Sequence, residues 1–214
     1  MYQLHPSGEL TARFRRRPYQ GAEPSAAAFL FVGLDANYDP EVERSPSFRD
    51  VLEYHEDGVG FWRRHGVHHL FLLPNYRGDG RRYHRTFARI GFTPKHAELV
   101  SFVELLHVPT VGRSKLEPKD LDASHLVRIN DAILQGSAKY IFVSAGVTRL
   151  MHSSKAFPWL PKEPTGTGAL RVLYRDPSRT VYSHLHFSNY GKFQQKLEEE
   201  ARAIAALLPA KLQR

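Results

Sequence analysis

The chain has 214 residues, enough for one substantial hydrophobic core, and its 30 Lys and Arg against 22 Asp and Glu give a formal charge of +8. That excess favours a polyanionic partner such as nucleic acid, and the absence of cysteine excludes disulfides, zinc–thiolate sites and Cys-ligated iron–sulfur clusters. No stretch approaches the roughly 18 apolar residues of a membrane span, and the amino terminus lacks the pattern of a signal peptide. The expectation is therefore a soluble, intracellular protein, cytoplasmic and away from membranes, built as a single domain over 1–214.

Residues 1–25 are polar and include Arg13-Phe14-Arg15-Arg16-Arg17-Pro18. They read as a basic arm or extension, either solvated or touching phosphates. The apolar run Phe29-Leu30-Phe31-Val32 before Gly33 predicts a buried strand. It delivers Asp35 to a strand's carboxyl end, where α/β sheets bind ligands; the competing reading is a turn carboxylate that starts a helix. Apolar spacing predicts one or two amphipathic helices over 47–66, ended by Gly66. Residues 67–73 read as a second strand.

A helix is expected over 81–91, with Tyr83, Phe87 and Ile90 on one face and Arg81, Arg82, Arg85 and Arg89 on the other. Residues 96–106 read as a third apolar run with Glu104 near its carboxyl end, 121–134 as a helix, and 139–146 as a fourth strand closed by a glycine turn. Residues 153–168 read as a surface loop. Further extended segments are expected at 170–174 and 180–187, with a closing amphipathic helix over 191–208. Strands alternating with helices give an α/β class, a three-layer α/β/α sandwich around a short, mostly parallel central sheet of about four strands.

The last extended segment runs into Ser183-His184-Leu185-His186-Phe187-Ser188-Asn189-Tyr190-Gly191, dense in hydrogen-bonding groups. His184 and His186 lie two apart and point the same way on a strand. Nothing completes a metal site around them, and neither metal nor cofactor is expected.

At these two segments the chain resembles the uracil-DNA glycosylase superfamily. Gly33-Leu34-Asp35-Ala36-Asn37-Tyr38 resembles that family's Gly-x-Asp-Pro-Tyr-His motif, and His186-Phe187-Ser188-Asn189-Tyr190 its His-Pro-Ser motif. The resemblance implies excision of uracil from DNA by base flipping, with Asp35 orienting water and His186 donating to the departing base. His184 is the alternative to His186. Base-binding roles fall by resemblance on Gly33, Leu34, Asn37, Tyr38, Phe48 as the stacking aromatic, and Glu104 or His107 where the family carries an asparagine. DNA contacts fall on Ser188, Asn189, Tyr190, Arg113 and Lys155. The partner so implied is DNA containing uracil or a related deaminated base, bound by a monomer that is nucleoid-associated when on DNA. Ala36, Asn37 and Phe187 depart from the motifs. Two other readings are a protein that binds uracil or abasic sites without turnover, and a phosphohydrolase with Asp35 as nucleophile.

Overall fold

The computed structural model describes residues 2–78, 80–112 and 115–208. Its main sheet has six strands: β2 (Tyr19–Gly21), β3 (Phe29–Gly33), β4 (Val100–Glu104), β6 (Tyr140–Ser144), β7 (Arg171–Arg175) and β8 (Thr180–His184). Their order is β2-β4-β3-β6-β8-β7. The inner four are parallel, and β2 and β7 pair antiparallel at the two edges. The sheet is thus wider than the four strands expected. A second, two-stranded sheet joins β1 (Gln3–Leu4) to β5 (Thr110–Val111). Among the described residues no helix is long and apolar enough to cross a membrane.

Period-two alternation assigns the two faces of β3. Leu30 and Val32 pack with helices α5 (Ala123–Leu134) and α6 (Ala145–Ser154) through Leu126, Ile129, Val147 and Met151. Phe29 and Phe31 pack on the other face with α3 (Gly58–His65), α4 (Arg81–Ala88) and α7 (Gln194–Ala205) through Trp62, Phe87 and Leu197. Helices therefore cover both faces, which is why β3 and β6 read as apolar runs. Phe31 stacks on Phe142 at 4.7 Å between ring centres, the middle of an aromatic layer under the second face. Gly66 ends α3 in the left-handed conformation, φ 72°, as the sequence predicts.

Three expectations are corrected. The supposed basic arm is folded: α1 (Gly8–Arg16), capped by Ser7, buries Leu10 and Phe14 completely. Arg13 and Arg16 are engaged on Glu56, and Arg17, just past the helix, on the carbonyls of Glu56 and Gly21. Residues 67–73 are not a strand but carry the single 3₁₀ turn Leu70–Leu72, buried against α2 (Phe48–Glu56) and α4. A short buried apolar run has the same composition in either form. Gly146, read as a turn, lies in the first turn of α6, which follows β6 without a loop.

Candidate functional site

Chain topology opens a crevice at the carboxyl ends of β3 and β4. The connection after β3 runs to α2, α3 and α4, and the one after β4 crosses to α5 on the opposite face. Where neighbouring connections part in this way, open α/β sheets place their ligands. A cavity of about 460 Å³ lies there, lined on its polar side by Gln20, Asp35, Asn37, Glu104, His186 and Ser188. Tyr54, His69, Phe71, Tyr83 and His84 supply an aromatic wall.

Asp35 stands two residues beyond the end of β3. Its loop is pinned to the neighbouring segment, with Thr110 N donating to Ala36 O at 2.9 Å and Tyr38 N to Thr110 O at 3.0 Å. The buried Thr110 hydroxyl donates to Asp35 Oδ2 at 2.6 Å, which fixes the carboxylate's orientation. Gly33 pairs in register with Glu104. A Cβ on Gly33 would stand 2.0 Å from Glu104 Oε2, so the glycine is what lets the glutamate lie across β3 toward Asp35. Burial and then the neighbouring Asp35 carboxylate push the Glu104 carboxyl up to about 8. At neutral pH it is a carboxylic acid, a donor as well as an acceptor.

His186 sits at the rim, exposed on one side and packed against Tyr83 at 5.2 Å between ring centres. Its Nδ1 meets Ser188 Oγ at 2.6 Å and Ser188 N at 3.4 Å. A backbone N–H only donates, so Nδ1 accepts and the ring's proton resides on Nε2. Desolvation lowers the imidazole below its ordinary value and Asp35 opposes that shift, so the neutral Nε2–H form is available as a donor.

Of the residues expected from sequence, Gly33, Leu34, Asp35, Asn37, Tyr38, Glu104, His186 and Ser188 line this one cavity. Asn37 spends its amide on Gly112 O and Thr110 Oγ1. Tyr38 is core, its hydroxyl 2.7 Å from buried His55. Asn189 and Tyr190 are beside the rim rather than in the cavity; Tyr190 is 68% exposed with the Arg82 guanidinium 4.4 Å above its ring.

Others fall elsewhere. Phe48 packs half-buried on the cluster around Val51 and Tyr54 and does not line the cavity. His107 packs toward His125, near Asp122 and Arg128, and does not face Asp35. His184 is buried against Phe142 and Phe187, its Nδ1 on Leu185 O, so of this pair it is His186 that lines the cavity. Lys155 is the C-cap of α6 and does not line the cavity. Arg113 lies outside the described residues. Gln20, Thr110 and the aromatic wall were not marked by the sequence: Gln20 belongs to the segment read as an arm, and Thr110 follows a proline in what looks like an ordinary turn.

No known family model matches the chain, and no curated protein matches it.

Proposed function

We propose that the protein is a DNA glycosylase of the uracil-excising type. The observation that carries this reading is the meeting of Asp35 and His186, from opposite ends of the chain, in one aromatic-walled cavity at the carboxyl ends of the parallel strands. A base inside a duplex is out of reach and must be flipped into such a cavity at a cost of a few kcal/mol. Stacking on an aromatic ring returns roughly 1–3 kcal/mol; Tyr54, Phe71 and Tyr83 are placed for this where Phe48 is not. Tyr190, exposed beside the rim, is positioned to fill the gap left in the stack.

Breaking the N-glycosidic bond builds positive charge on the sugar and negative charge on the departing base, as in glycoside hydrolysis. The Asp35 carboxylate, held by Thr110, offsets the cationic sugar and orients the attacking water. The His186 Nε2–H donates to a carbonyl oxygen of the leaving base. Glu104, neutral below about 8, spares that departing anion a second nearby charge.

A labelled oligonucleotide with a single uracil, treated with alkali and run on a gel, tests the reading. Wild-type protein generates an alkali-labile site, and His186→Ala slows its formation by about 10²- to 10³-fold while DNA binding persists. Formation slows as pH rises through about 8, where Glu104 ionises. Binding without any cleavage at high protein concentration would favour a non-catalytic binder.

A further inference from the structure

Gln20 is a polar group of the cavity that the mechanism leaves unused. It is only 5% exposed, it lines the cavity, and among the described residues its Nε2 has no hydrogen-bond partner. A buried amide donor left unpaired costs about 1–3 kcal/mol, and such groups in folded proteins call for a partner from outside. The register of the edge strand explains where it points. Gln20 stands opposite Phe102, so its side chain shares a face with Phe102 and, two residues on, with Glu104.

Sheet order then arranges the polar groups in a row. β2 carries Gln20, β4 carries Glu104, β3 leads to Asp35, and the segment after β8 carries His186. Across the cavity the chain offers an amide donor, a carboxyl acceptor and an imidazole donor. The complement of donor–acceptor–donor is a ring edge reading carbonyl, N–H, carbonyl, which is a cyclic imide. We propose that Gln20 is a specificity-determining residue that reads the imide edge of the bound base beside Glu104, taking the carbonyl oxygen remote from His186. This rests on the reading of the cavity as a base pocket. Uracil and xanthine carry that edge; hypoxanthine lacks one carbonyl. Cytosine presents an amino group where Gln20 also presents one, and two facing donors leave both unpaired, so cytosine is rejected.

The test does not depend on turnover. Free uracil and 4-thiouracil, in which a weakly accepting sulfur replaces the remote oxygen, are titrated into wild-type protein and Gln20→Leu by calorimetry. Wild type should bind uracil roughly 10-fold more tightly than the thio compound. Gln20→Leu should bind both alike, with an unfolding midpoint equal to or above wild type because an orphan amide has been replaced by an apolar group of similar size. Gln20→Met reads the same ratio should the leucine variant not fold. Failure of wild type to bind uracil or to distinguish the two bases, or equal weakening of both in the variants, overturns the assignment. Preserved discrimination without excision from DNA would overturn the glycosylase reading and leave this one standing. Excision with an unchanged ratio would do the reverse.

Discussion

Replacing Glu104 by glutamine should make the protein more stable at alkaline pH. The carboxyl is held at about 8 against an ordinary value of 4.5, so the folded state binds its proton more tightly than the unfolded chain. Stability from this group is complete below about 4.5 and is lost progressively as pH rises to about 8. Each pH unit of displacement is worth about 1.4 kcal/mol, which makes the full loss about 5 kcal/mol at most. Glutamine keeps the shape over Gly33 and cannot ionise. Urea unfolding at intervals between about pH 5 and pH 9 should therefore show the gap between Glu104→Gln and wild type widening in favour of the variant by at least about 2 kcal/mol. Glu200, whose carboxyl burial raises to about 7, remains in both proteins, so some alkaline loss persists in the variant. Parallel stability curves for the two proteins across that range would refute the account of a buried neutral acid beside Asp35.

Acid should destabilise the protein through its buried imidazoles. Burial lowers His55 and His68 to about 3 and His184 to about 4, and it lowers His69 and His84 well below the ordinary value of 6.5, so stability held above 6.5 is lost as pH falls below it. A pH series of thermal midpoints should accordingly peak between about pH 6 and pH 7. Gly33→Ala should cost about 1–3 kcal/mol by overpacking and should slow base release more than 10-fold, because the new methyl occupies the place of the Glu104 carboxylate. Wild-type kinetics in that variant would show that Glu104 need not reach across β3.

Strands β3 and β6 were legible because strands covered on both faces are continuous apolar runs ending in Gly or polar residues, whereas β4 carries Ser101 and β8 carries Thr180, Ser183 and His184. Residues 67–73 carry the same signal and form a buried 3₁₀ turn, since composition does not tell a buried strand from a buried helical turn. α1 was hidden by its arginines: Leu10 and Phe14, four apart, are its anchors, and its cations find partners only in the folded chain. In the site, Asp35, Glu104 and His186 were legible as polar residues at or just past the ends of strands. Thr110 and Gln20 were not, because what brings Thr110 to Asp35 and Gln20 to the cavity is pairing between segments distant in sequence.

The most direct measurement is mass spectrometry of the products when wild-type protein and Asp35→Asn meet a DNA strand containing one uracil. The account predicts free uracil and an intact abasic strand with wild type, and release slowed by about 10²-fold or more with Asp35→Asn. An unaltered strand with wild type, or equal release by both proteins, would contradict it.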